Sequence, residues 1–190
     1  MEKFRYGSKE IIATVAGAVL IVAARYLHVF LLSSGIMSAK AGEWFQMSVP
    51  VIAIVAVFFG PVSGLLCGVG GVLLVNVIFE TSISYPSVIV LGLYGFILGL
   101  YFGKMHYDPA DFSLRTIIDF NAVQITSGIL VAMLLLPLLL FLMTNQSLYE
   151  SVYLGAKQTV GNAVIVGILC PAIMFAVSLV KGRQKKGRRT

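Results

Sequence analysis

The chain alternates long apolar runs with short polar intervals. Apolar blocks stand out at residues 11–32, 49–79, 87–103, 117–143 and 150–180, and charges are rare inside them. About 20 apolar residues in helical form cross the hydrocarbon layer of a bilayer. The blocks therefore predict membrane helices rather than the amphipathic helices of a soluble core. The second block is too long for one helix and holds Phe59-Gly60-Pro61 near its middle. Proline has no amide hydrogen and pushes its predecessor out of the α region, which predicts a break at that point.

Charge decides whether the break also reverses the chain. With a single crossing, Lys104, Arg115 and the basic tail would lie on the opposite side from Lys3, Arg5 and Lys9. With a reversal at Gly60-Pro61 they all share one side, which then holds eleven of the 14 basic residues. Only Lys40 is left in an outer loop, with Arg25 and Lys157 inside helices. Cytoplasmic segments carry the excess of Lys and Arg. The expectation is an all-α bundle of six transmembrane helices, at 9–32, 47–59, 62–79, 87–104, 113–143 and 148–181. Both termini are expected to be cytoplasmic, and residues 1–190 to form one domain in the bacterial cell membrane.

Composition supports this. Of 190 residues, 58% are hydrophobic and 12% charged, and the mean hydropathy is +0.95; a soluble domain of this size needs more polar surface. A net charge of +6 could suggest nucleic acid, but six of the basic residues crowd into Lys181–Arg189 directly after an apolar run. That placement anchors a helix end at an anionic leaflet, so no nucleic-acid partner is expected. Cys67 and Cys170 lie inside apolar segments and offer no disulfide framework, while His28 and His106 are too few for a metal cluster. No metal and no covalent cofactor are expected.

Small residues recur at helical spacing. Gly60, Gly64 and Gly68 form one series, Ser63, Cys67 and Gly71 a second, and Gly95, Gly99 and Gly103 a third. Such stripes let helix backbones approach closely in lipid, and packing within the bundle is the plainer reading. In the first helix Ala13/Gly17 and Thr14/Ala18 form two staggered pairs. They fit either internal packing or a groove for a partner's helix.

Polar side chains inside spans are costly unless paired or facing water. In the sixth helix Tyr153 and Lys157 share one stripe with Gly161, and Gln158 and Asn162 form the adjoining one. This strip fits a solute site, or a structural ion pair of Lys157 with Glu80 or Glu43. Asn121 and Gln124 fit helix–helix hydrogen bonds or a cavity floor. Arg25 is expected to reach the outer interface, with anion binding as the alternative. No HExxH, GxSxG or Walker A pattern is present, so neither an intramembrane enzyme nor self-powered ATP-driven transport is expected.

The features that carry a resemblance are Ser8-Lys9 ahead of Ala13–Ala18, the segment Ala56-Val57-Phe58-Phe59-Gly60-Pro61-Val62-Ser63-Gly64, Gly92–Lys104, and Gly161-Asn162-Ala163 followed by the basic tail. With these, nearly the whole chain resembles the S components of energy-coupling factor (ECF) transporters, in particular the riboflavin-transporter-like and hydroxymethylpyrimidine-transporter-like ones. The resemblance implies a subunit that captures a vitamin or vitamin precursor from outside with high affinity. It also implies delivery through a transmembrane coupling protein and two ATPase subunits. In the family, small residues of the first helix contact the coupling protein, which points to Ala13, Thr14, Gly17 and Ala18. The family's pocket lies between the first loop and helices four to six. It points here to Glu43, Trp44, Glu80, Tyr85, Tyr94, Lys157, Gln158 and Asn162 as substrate-binding residues. One tryptophan, several tyrosines and a Lys/Glu/Asn set suit a small polar aromatic ring, with a pyrimidine or pyridoxine-like compound as the first expectation. The alternatives are a stand-alone secondary transporter of a small solute and a ligand-free membrane scaffold.

Overall fold

The computed structural model describes residues 7–38, 44–80, 82–105, 107–110 and 112–187, the last six of these by backbone only. Among the described residues the chain is all helix, without strands. Helix α1 runs Ser8–Ser33, α2 Ser48–Phe59, α3 Pro61–Phe79 and α4 Tyr85–Lys104. Helix α5 runs Leu114–Met143 and α6 Leu148–Gly187.

Five helices are long and apolar enough to cross a membrane, namely α1, α3, α4, α5 and α6 through Lys181. The sixth, α2, is apolar but has 12 residues. At about 1.5 Å per residue it is roughly 18 Å long, short of the ~30 Å hydrocarbon layer. Expected boundaries and observed ones differ by one or two residues, except that α6 continues six residues beyond 181.

Gly60 explains the corner between α2 and α3. Its φ of +89° with ψ of −176° is open to glycine and strained for other residues, and Pro61 then starts α3 with its φ already helical. The two helices fold back on each other: Val55 of α2 and Cys67 of α3 both touch Gly17 of α1.

The small-residue stripes pack within the chain. Gly64 and Gly95 meet backbone to backbone, Gly68 lies on the Leu91 carbonyl, and Gly99 on Pro61, which makes α3 and α4 an antiparallel pair in close contact. The second stripe of α3 faces α1, with Cys67 against Gly17 and Gly71 against Ile21. A Cβ at Gly17 would stand 2.6 Å from Cys67 Sγ and 2.8 Å from Val55 Cγ2. Thr14, Gly17 and Ala18 are accordingly buried inside the chain, and Ala13 is half-buried. Internal packing accounts for the burial of Thr14, Gly17 and Ala18. The face α1 leaves uncovered is instead apolar, with Ile12, Val15, Val19 and Leu20.

Helix α5 begins with a capping box in which the Ser113 side chain accepts from Thr116 N–H at 3.3 Å. It widens to a π-helix over Ile129–Leu135, and Pro137 opens the closing α segment Leu136–Met143. Proline lacks the amide hydrogen that would continue the ladder, and an added residue in a wide turn is one way to absorb the fault. Gly155 of α6 fits directly against the Ala132 carbonyl of this widened stretch.

Candidate functional site

Two adjacent cavities open between the helices near Trp44. The larger, of about 250 Å³, lies between α1, the segment leading into α2, the end of α3 and the start of α4. Its polar wall is Arg25 and His28 from α1, Asn76 and Glu80 from α3, and Ser84 and Ser87 from the turn into α4. Val72, Val75 and Ile21 supply an apolar wall. The smaller is a cleft of about 20 Å³ among α4, α5 and α6, room for roughly one water molecule. Gln46, Ser87, Leu91 and Gln158 line both, so these four side chains form the partition between them.

Glu80 is held from two sides. Arg25 Nη2 stands 3.5 Å from its Oε1, a long single contact between partly exposed groups. Asn76, with its amide turned to satisfy both neighbours, donates to Glu80 Oε2 at 3.0 Å and accepts from Ser84 N–H at 3.1 Å. Among the described residues Arg25 Nε and His28 Nδ1 are buried without a hydrogen-bond partner, and His28 is only 4% exposed. Buried polar atoms without partners cost free energy, and both belong to side chains that line the cavity.

The cleft is built differently. Asn162 Oδ1 accepts from Gln46 N–H at 3.0 Å, and its Nδ2 donates to Gln46 Oε1 at 3.5 Å. This double bond of contacts ties the segment before α2 to α6. Beside it Gly161 lies directly under the Trp44 carbonyl, where a side chain has no room. Gln124, 2% exposed, donates to the Ala163 carbonyl at 3.2 Å and to Asn121 Oδ1 at 3.4 Å. Both readings of Gln124 hold together, since it bonds α5 to α6 and also lines the cleft. The π-helical stretch contributes Val131 and Ala132 to the same wall, so the irregular turn shapes the cleft.

The residues expected from sequence divide as follows. Glu80, Tyr94, Gln158 and Asn162 line one cavity or both. Tyr94 is 4% exposed and its hydroxyl has no partner among the described residues. Lys157 Nζ lies 5.7 Å above the rings of both Trp44 and Tyr153, in cation–π geometry beside the cavities rather than in their walls. Glu80 takes Arg25 as its ionic partner, not the Lys157 considered from sequence. Tyr85 is 57% exposed and lines neither cavity. Glu43 lies outside the described residues.

Sequence reasoning missed His28, Gln46 and the two serines, and it sent Arg25 to the interface. A signal for the α1 residues did exist. Thr14, Gly17, Ile21, Arg25 and His28 follow one another at steps of three or four, which places them on a single helix face. The small residues that seat α1 against α3 thus turn Arg25 and His28 inward as well.

A further cavity of about 230 Å³ lies at the opposite end, among Tyr107, Asp108, Arg115 and Asp119. Burial there, with the Asp108 charge adding to it, pushes the Tyr107 hydroxyl up to about 12, so it stays protonated.

Comparison with known proteins decides the family. A family model for the S component of ECF-type riboflavin transporters matches residues 5–179. The chain belongs to this family of ECF S components. The chain is also similar to several UPF0397 proteins. A UPF0397 protein of Enterococcus faecalis is 29% identical over 186 residues, covering 97% of each chain. One from Leuconostoc citreum is 31% identical over 137 residues, 71% of each chain, and one from Clostridium perfringens is 26% identical over 188 residues, 98% of this chain and 97% of its own. No solved structure gives a significant match. An S component is a transport subunit of the membrane, which accords with five long apolar helices and a cavity with polar residues in its wall.

Proposed function

We propose that the chain is the high-affinity substrate-capture subunit of an ATP-driven ECF importer. It takes a small vitamin or vitamin precursor from outside the bacterial cytoplasmic membrane and passes it on through a transmembrane coupling protein and an ATPase pair. The observation that carries this is the cavity near Trp44, set among helices of an S component and lined by Arg25, His28, Asn76 and Glu80.

The proposed orientation puts six helices in the bilayer, with α2 as a short span leaning on α1, α3 and α4, and both termini cytoplasmic. The Trp44 end then faces outward. The basic residues at Lys9, Lys104, Arg115 and Lys181 support this, since all four sit at the other end of the bundle.

The substrate-binding set we propose is Glu80, Tyr94, Gln158 and Asn162, with Trp44, Tyr85 and Lys157 nearer the mouth, and it includes Glu43. The family description names riboflavin. A cavity of about 250 Å³ falls just below the ~300–1,000 Å³ usual for drug-sized ligands, which favours a single-ring compound of pyrimidine or pyridoxine type. The first helix remains the proposed contact with the coupling protein. Because Gly17 is occupied by Cys67 and Val55, that contact is made by Ala13 and its exposed neighbours.

Reconstitution tests the proposal. Proteoliposomes holding this chain alone are expected to bind substrate without accumulating it, and to accumulate it only when the coupling protein, both ATPases and ATP are added. Accumulation by the chain alone would instead establish a secondary transporter.

A further inference from the structure

The Arg25–Glu80 cluster lies on the α1–α3 side of the cavity, across from the α6 strip. We propose that Arg25, His28, Asn76 and Glu80 form a recognition subsite for a neutral heterocycle presenting a hydrogen-bond donor beside an acceptor, as in an amino-imine, lactam or carboxamide edge. This rests on the capture function proposed above and adds the ligand class that the cavity accepts.

Charge comes first. The guanidinium of Arg25 and the carboxylate of Glu80 face the same space and cancel. An anionic ligand entering here would meet Glu80, and a cationic one Arg25. A like charge in a partly desolvated site is unfavourable. A neutral edge with one donor and one acceptor meets neither difficulty: its donor reaches Glu80 and its acceptor Arg25.

The state of the ion pair points the same way. At 3.5 Å the Arg25–Glu80 contact is long, and it uses one nitrogen of a fork built for two parallel bonds. Arg25 Nε is left buried and unbonded among the described residues. The other carboxylate oxygen is fixed by Asn76, itself fixed by the Ser84 amide, so Glu80 is aimed before any ligand arrives.

His28 is the independent observation. Its side chain is more than nine-tenths buried, it lines the cavity, and its Nδ1 has no partner among the described residues. A buried imidazole nitrogen kept unbonded is expensive. A ligand that draws the ring round toward the cavity removes that cost, which makes His28 a second contact on the same edge.

The test uses the full-length chain in lipid nanodiscs and a fixed panel of probes: 4-aminopyrimidine, cytosine, nicotinamide and lumichrome as neutral heterocycles, with nicotinate and pyridoxal phosphate as anions. Binding is read by calorimetry, and melting temperature is recorded without ligand. At least one neutral probe is expected to bind saturably below 1 mM and more tightly than either anion, with nicotinamide preferred over nicotinate. His28→Phe and Glu80→Gln are expected to weaken the bound probe by about tenfold or more, while the preference for neutral over anionic probes shrinks in Glu80→Gln. Stronger binding of an anion would overturn the proposal. So would unchanged affinity in both variants, or no binding of any panel member. If the panel fails but a small-molecule extract of bacterial cells still raises the melting temperature, only this ligand class falls. If the extract also has no effect, the capture function falls with it.

Discussion

Asn162 is one side chain with two duties, holding the segment before α2 against α6 through Gln46 and standing in the cleft wall. Replacing it leaves the Gln46 amide without its acceptor in a half-buried place. Each such bond contributes roughly 1 kcal/mol. Asn162→Ala is therefore expected to weaken ligand binding about tenfold or more, chiefly through faster release, because the Gln46 segment in the cleft wall loses its tether to α6. Stopped-flow binding measures this, and an unchanged dissociation rate would remove Asn162 from the site. The polar strip on α6 was legible from sequence because amides are conspicuous in an apolar run. Gln46 was not, since it lies in a short polar interval where any residue is expected to be solvated. Arg25 and His28 were visible but were read one at a time; their spacing from Thr14, Gly17 and Ile21 is what fixes their direction.

The helices themselves follow from three signals that sequence states openly: apolar length, charge at the ends, and Gly60-Pro61 at the corner. What the pattern hides is which face of a helix turns inward, because in lipid both faces are apolar. Helix α1 illustrates this, since its small residues fit a partner groove and an internal seam equally well on spacing. The structure places Gly17 against Cys67 and Val55. Gly17→Leu is then an overpacking change, expected to cost about 1–3 kcal/mol and to lower the melting temperature of the isolated chain. Ala13→Leu, at a half-buried position on the rim, is expected to leave the isolated chain folded and to impair uptake by the full importer. A melting temperature unaffected by Gly17→Leu would contradict the internal seam. The π-helical stretch of α5 was equally hidden. Pro137 follows this stretch closely, but a proline alone does not say whether the helix kinks or widens.

For the molecule as a whole, the account depends on which end faces outward. The cavity near Trp44 and the basic residues at Lys104 and Arg115 occupy opposite ends of the bundle. In a chain with Cys67 and Cys170 replaced by alanine, Ser147→Cys is expected to react with a membrane-impermeant maleimide in intact cells. Asp108→Cys and Gly182→Cys are expected to react only after permeabilisation. Labelling of Ser147→Cys and Asp108→Cys from one side would break the proposed orientation. The division of labour follows from the same geometry. The chain provides a cavity with Arg25, His28, Asn76 and Glu80 in its wall, suited to holding a solute. Its sequence carries no phosphate-binding loop to drive release, so the energy is expected from partner subunits. The most direct measurement is mass spectrometry of small molecules released by denaturing the purified chain. The account predicts one heterocyclic compound near one-to-one stoichiometry in the unmodified protein, sharply depleted in Asn162→Ala. Recovery of lipid and detergent alone, in a preparation that also fails to bind added vitamins, would contradict it.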